Sequence, residues 1–310
     1  MLAKLRTIAA LALLLPAVAA TPQEIAASAD AGMQIERSRA PADELAEHRK
    51  LDRALRALLP QRAGTVDAYV ISIALDSDPV FGREARAAGE VLQRRYAARG
   101  RTIVLAGSDG AGPSALPRGT PGTLAIVLAR IAELMDENED ALVLFTAGHG
   151  MPIGLYYNDG DSGYGAISPN RMAGMLDGLG MRNRLLILSA CYSGVFVPRL
   201  QSETSAIVTA AAHDRSSFGC LAENDWTFFG DAMINHALRK PQPLAAAFAE
   251  ADGLITSWEA QFPVRPSAPQ LFVGTGAARW LGALERRLPV ATQPAGRAAV
   301  ETSRSAFGRR

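Results

Sequence analysis

Cysteine is scarce in this chain: Cys191 and Cys220 are the only two in 310 residues. One disulfide is therefore the most it can form, and in an oxidising compartment that pairing would be the default. An excess of charge of one sign is also missing. Lys and Arg total 32 against 31 Asp and Glu, a net charge of +1, which gives no electrostatic reason to expect nucleic acid or an anionic membrane as partner. No segment has the roughly 18 uninterrupted apolar residues of a spanning helix. H-E-x-x-H, C-x-x-C and G-x-S-x-G are all absent, which argues against a zincin, a thioredoxin-like oxidoreductase and an α/β-hydrolase. The glycines of residues 107–112 lack the Lys of a phosphate loop. No internal repeat is found.

What is present fills a globular domain: 48% of the residues are hydrophobic, ample for a buried core. Residues 1–20 read as a signal peptide. Lys4 and Arg6 precede a short apolar stretch from Ile8 to Leu15, and Pro16 and Ala17-Val18-Ala19-Ala20 offer a cleavage site. No Cys follows to carry a lipid. The expectation is an exported protein, periplasmic or extracellular, with no stable membrane insertion after cleavage. Residues 21–64 read as a flexible lead-in followed by an amphipathic helix from Ala42 to Leu59, stopped by Pro60. That helix packs on the main domain or belongs to a removable pro-segment. Residues 65–285 form one domain, and 286–310 an Ala/Arg/Ser-rich disordered tail.

Within the domain, strands and helices alternate. Strand candidates are Val66 to Leu75, Thr102 to Leu105, Ala141 to Ala147, Leu185 to Ala190, Ser205 to Ala211 and Gln270 to Val273. Helix candidates lie between them, two opened by the cap-proline pairs Thr120-Pro121 and Ser168-Pro169. Apolar strands without alternation, separated by helices, predict an α/β fold with a mainly parallel six-stranded sheet covered on both faces.

Sites in such sheets collect at the carboxyl ends of strands. Two ends are chemically loaded. ALVLFTA runs into Gly148-His149-Gly150, and LLILSA into Cys191-Tyr192-Ser193-Gly194. A thiol attacks as its thiolate and needs a nearby base. His149 can supply one and can protonate a leaving amine. Backbone amides of Gly150 and Cys191 can face the oxyanion. Cys191 alone reads as a small core residue and His149 alone as structural. On strand ends joined by one loop and one crossover helix, they read together as an acyl-transfer site.

Thr146-Ala147-Gly148-His149-Gly150 and Ser189-Ala190-Cys191-Tyr192-Ser193-Gly194 resemble the two catalytic blocks of the legumain-like cysteine peptidases. The likeness covers roughly Val66 to Gly274. It includes Asp78 to Gly100, Met135 to Asp140, Ala212 to Phe218, Asp225-Trp226 and Ser267 to Gly274. It implies a caspase-like α/β/α sandwich in a bacterial exported member, with Cys191 as nucleophile, His149 as base, and Gly150 and Cys191 as the oxyanion hole. It also implies Asp225, Ser216 and Ser217 as substrate-binding residues. Three departures stand out. Gly148 replaces an acidic residue before the His, Tyr192 replaces a Glu after the Cys, and no pocket Arg is evident after the first strand, Gly82-Arg83 being the nearest region. Asparagine preference is therefore not carried over.

The expected function is a cysteine endopeptidase acting on peptide or protein substrates through a thioester, with no cofactor and no metal. Two alternatives are a transpeptidase or ligase using the same dyad and a non-catalytic binding protein of the same fold. A third, a structural protein with Cys191 bonded to Cys220, is opposed by the expectation that both thiols are free, with Cys220 partly buried and inert. Several residues keep two readings. Asp225 serves a pocket or caps a helix at Trp226. Asp76 and Asp78 shape a turn, or one of them orients His149. Residues 158–163 resemble a calcium loop without its downstream Glu and read as a tight loop. His48 and His236 read as surface or packing residues, and His213 can line the pocket.

Overall fold

The computed structural model describes residues 20–37, 39–107 and 114–307. All of the expected signal peptide but Ala20 lies outside them, as does most of the glycine loop at 107–112. In chain order the helices are α1 Pro22–Asp30, α2 Pro41–Arg56, α3 Pro79–Arg95, α4 Pro121–Leu134, α5 Pro169–Gly178, α6 Val197–Leu200, α7 Leu244–Glu259, α8 Ala277–Glu285 and α9 Ala299–Phe307. The strands are β1 Gln34–Glu36, β2 Ala68–Ala74, β3 Thr102–Leu105, β4 Ala141–Ala147, β5 Gly150–Met151, β6 Gly154–Asn158, β7 Gly163–Ile167, β8 Arg184–Ser189, β9 Ser205–Thr209 and β10 Gln270–Val273. Six of them form the main sheet, in the order β10-β9-β8-β4-β2-β3. All neighbours in it pair in parallel except β10, which runs antiparallel to β9. This is the expected caspase-like α/β/α sandwich.

The unbroken apolar strands follow from burial on both faces. Val70, Val143, Phe145, Leu185 and Ile187 face a layer containing α3 and α7. Ile71, Leu142, Leu144, Leu186 and Leu188 face a layer containing α4 and α5. Each such side chain contributes about 1.5–3 kcal/mol when taken out of water. The amphipathic helix α2 packs on the second layer through Leu51 and Leu55, with Leu58 beyond its end, whereas Leu45 and Leu59 remain half exposed.

Several elements differ from the sequence expectation. A second sheet, β1-β7-β6-β5, is built from the stretch after His149 together with three residues of the lead-in. Its strands are short and glycine-rich, so no period of two is visible in the sequence. Residues 158–163 are the turn of its β6–β7 hairpin, and Asp159 is held by Arg39 at 2.6 Å and Arg118 at 3.1 Å. In the lead-in, α1 forms behind a Thr21–Glu24 capping box despite having no clear apolar face. Part of the segment expected to be disordered, 286–310, packs on the domain. Trp226 Nε1 donates to Ala295 O at 2.9 Å, the Ala299 amide donates to Asp231 Oδ2 at 2.8 Å, and Ala299 and Val300 are buried. Its few apolar residues are enough because buried polar groups of the domain supply the other contacts.

Residues Gly230–Ala237 form a π-helical segment, in which each amide reaches five residues back, as Leu238 N does to Met233 O at 2.9 Å. The carbonyls beyond its end converge on Arg95 of α3. This Arg is 2% exposed and donates to Leu238 O at 3.2 Å, Lys240 O at 2.9 Å and Gln242 O at 2.7 Å. Hydrogen bonds from a charged donor are worth roughly 1.5–3 kcal/mol each, and their loss strands buried acceptors. Arg95→Ala is expected to destabilise the protein by at least about 3 kcal/mol in urea unfolding, with an unchanged m-value.

Candidate active site

β4 and β8 are neighbours, and Ala147 pairs with Ser189 at their carboxyl ends. His149 and Cys191 each follow two residues later, so both leave the same edge of the sheet from adjacent strands. The two turns are packed together at the backbone. A methyl group on Gly150 would stand 1.9 Å from the Cys191 carbonyl oxygen and 3.1 Å from Ala190 Cβ, so only glycine fits there.

The turn at Cys191 is held from three sides. Tyr192 adopts a left-handed conformation, with φ at 56°, and its amide donates to Arg215 O at 2.7 Å. The Gly194 amide donates to Ala211 O at 2.9 Å, and the Ala211 amide donates back to Ser193 Oγ at 3.2 Å. A left-handed Tyr is a strained state of about 1–2 kcal/mol, kept only where the surroundings fix it. Cys191 itself is half-buried. Its sulfur accepts from the Ser217 amide at 3.2 Å and lies 3.7 Å from Ser217 Oγ. The thiol also donates to Ser217 O at 3.5 Å.

His149 is also half-buried, its ring edge-on to Phe81 with centroids 5.0 Å apart. Its Nε2 lies 3.4 Å from Asp78 Oδ2. Asp78 occupies the N-cap position of α3 without capping it, which frees its carboxylate for His149. Asp76 is the turn-former: its Oδ1 accepts from the Asp78 amide at 3.0 Å. Burial pushes the Asp76 carboxyl above its ordinary range, opposed by the Asp78 amide and by His149. His149 and Cys191 do not hydrogen-bond each other. They share an edge, with each ring or sulfur engaged by its own partner.

The expected pocket residues fall into two groups. Ser217 touches Cys191 through its backbone as well as its hydroxyl, while Ser216 beside it is exposed. Asp225 does not cap a helix. Thr227 does that, its Oγ1 accepting from the Gly230 amide at 2.9 Å. Asp225 Oδ1 instead lies 3.7 Å from Arg83 Nε, and its Oδ2 accepts from the Arg297 amide at 2.9 Å. Arg83 also donates to Asn224 O, at 3.1 Å from Nε, and to Ala222 O. Arg83, one turn into α3, thus places a basic side chain beside Asp225. His213 is exposed, its amide packed against Gly194. Both cysteines are free, and Cys220 is exposed at the surface although protein packs around part of it. Its thiol is pushed up first by the desolvating protein around it and then by the neighbouring Cys191.

Glu84 was not singled out by sequence. It is fully buried under the site, receiving Ser189 Oγ at 2.6 Å and the Thr227 amide at 2.7 Å. It joins the end of the cysteine strand to the loop after Asp225, and Gly230 is packed against its carboxylate. The available signal was its position: one turn from Phe81 and from Ala88, it stands on the apolar face of α3. Burial raises its pKa, opposed by the Ser189 and Thr227 hydrogen bonds. A raised acid binds its proton more tightly in the folded chain. Its stabilising share is thus complete below the ordinary value of 4.5 and falls as pH climbs to the folded value. Urea unfolding from about pH 4 to 8 should show the wild type losing stability relative to Glu84→Gln as pH rises.

Among the described residues, no helix is long and apolar enough to cross a membrane. The family model of the Peptidase C13 family matches residues 122–273. No curated protein matches the chain. The matched segment contains β4, β8 and β9, with both loaded strand ends, and finishes with β10. Over these residues, just under half of its length, the chain is similar to the Peptidase C13 family, the legumain-like cysteine peptidases.

Proposed function

We propose that the protein is a cysteine endopeptidase in which Cys191 attacks the scissile carbonyl and His149 acts as general base and acid. The observation that carries this reading is the in-register pairing of β4 with β8, which brings both residues to one edge with Gly150 against Cys191. The Cys191 thiolate adds to the carbonyl carbon, and the oxyanion meets the Gly150 and Cys191 amides. The C–N bond breaks as the imidazolium of His149 gives its proton to the leaving amine, leaving a thioester. Water, deprotonated by His149, then releases the acid and regenerates the thiol. Asp78 acts as a positioning residue that orients the ring and stabilises the imidazolium.

The same proposal takes Asp225, with Arg83 beside it, together with Ser216 and Ser217 as substrate-binding residues. The paired cation reduces the pull of Asp225 on a basic substrate side chain and suits one that both donates and accepts hydrogen bonds. Hydrolysis and transpeptidation share every residue named.

Peptide-library cleavage profiles test the reading. Cys191→Ala should abolish cleavage, and His149→Ala should lower kcat/KM by about 10²–10⁴-fold. A thiol-directed peptidyl probe, used in a Cys220→Ser background, should label the otherwise unaltered chain and not Cys191→Ala; equal labelling removes Cys191 as nucleophile. Adding a competing amine separates hydrolysis from ligation. We also propose export through residues 1–20 on the strength of their sequence alone. N-terminal sequencing of protein recovered outside the cytoplasm should begin near Thr21, and a retained Met1 would refute cleavage.

A further inference from the structure

Orienting a catalytic imidazole takes one carboxylate, and Asp78 provides it. A second one, Asp76, stands at the same place without such a task. One oxygen of Asp76, one of Asp78 and one ring nitrogen of His149 all lie within 4.8 Å of one another. Asp76 is 4% exposed and fixed in place, bridged to Asn158 as a parallel pair. Its Oδ1 takes the Asp78 amide at 3.0 Å and the Asn158 side-chain amide at 3.4 Å. Its Oδ2 is buried and has no hydrogen-bond partner. A buried carboxylate oxygen left without a partner is strongly disfavoured, which is the condition a bound cation relieves.

The donor set has its own chemistry. Two carboxylates balance a divalent charge. An imidazole selects a borderline metal such as zinc over magnesium or calcium, which prefer oxygen alone. Zinc with tetrahedral bonds of about 2.0–2.2 Å sets its ligand atoms roughly 3.3–3.5 Å apart. His149 Nε2 and Asp78 Oδ2 already stand at 3.4 Å. Both side chains are free to close the remaining distance, His149 being 38% and Asp78 50% exposed, while buried Asp76 serves as the fixed ligand. Three protein ligands leave further positions for water.

We propose that Asp76, Asp78 and His149 form a zinc-type divalent cation site, and that its occupation switches the peptidase off by engaging the imidazole lone pair. The metal forms a coordinate bond to His149 Nε2, with no redox step and no covalent bond broken. A proton is released only when the imidazolium is the starting form. Switching off rests on His149 acting as the base; binding does not.

The test uses the full chain with Cys191→Ala and Cys220→Ala, so that no thiol can take the metal. Zinc is titrated against a chromophoric chelator. One zinc per chain with a micromolar or tighter Kd is expected, unaffected by millimolar calcium or magnesium. Adding Asp76→Asn or Asp78→Asn should each weaken Kd at least 10-fold; Asp78 is exposed, so that variant reads the site even if Asp76→Asn disturbs folding. No saturable binding below millimolar zinc, or a Kd unchanged in both variants, overturns the site. In chain with both cysteines, kept reduced, zinc should inhibit peptide cleavage with a Ki matching that Kd, reversed by EDTA. Binding without matching inhibition overturns the switch. A chain inactive on every peptide, yet binding zinc as described, sinks the peptidase reading and leaves the site standing.

Discussion

The pairing of β4 with β8 is the constraint on which the rest of the molecule depends. Two parallel strands in fixed register deliver their carboxyl ends to one line, and whatever follows each strand becomes a neighbour of the other. Gly150 turns that adjacency into contact, because its missing side chain lets one turn rest on the carbonyl of the next. A shift of one residue in the pairing would exchange the two buried faces of β4 or β8, and the core on both sides forbids it. The relative placement of the two turns is thus inherited from the packing of Leu142, Leu144, Leu186 and Leu188 in the second layer.

Helix α3 carries the second level of organisation. Its N-cap residue Asp78 meets His149, Phe81 packs on the same ring, Arg83 reaches the Asp225 loop, and Glu84 holds Ser189 and Thr227. One turn and a half of helix therefore touches both strand ends and the Asp225 loop. At its far end, buried Arg95 closes the carbonyls after the π-helical segment. The helix reads in sequence as an Ala-rich covering element, but its polar side chains are spaced to join loops that the sheet alone would leave independent.

How much was legible in the sequence follows from this division. β4 has the bounds its apolar run suggested, because burial on both faces writes itself as an unbroken apolar string, and the partly buried edge strands β3 and β10 also have their expected bounds. The loaded turns after β4 and β8 were legible for the same reason: glycines and a lone His or Cys stand out against such strings. Asp78 was not separable from Asp76, since two aspartates at a strand exit look alike until one is buried against Asn158 and the other freed at a helix cap. Gly82-Arg83 stood out only as the nearest basic region and Glu84 not at all, because their partners lie some 140 and 105 residues away in sequence. The small sheet β1-β7-β6-β5 escaped notice because its strands are short and its first member comes from the lead-in. The ordered part of the tail depends on polar contacts to Trp226 and Asp231, which composition does not reveal.

The strand order also separates two units that are easily confused. The segment matching the family model begins at residue 122, after β2 and β3, and stops at 273. In the sheet β2 lies directly beside β4 and pairs with it over seven residues. A fragment cut to the matched boundaries would keep both His149 and Cys191 yet turn β4 into a raw edge, stripped of α3 on one face and of its neighbour's hydrogen bonds along its length. What a family shares in sequence is here shorter than what must fold together, and the excluded N-terminal third supplies the wall against which the shared part is built.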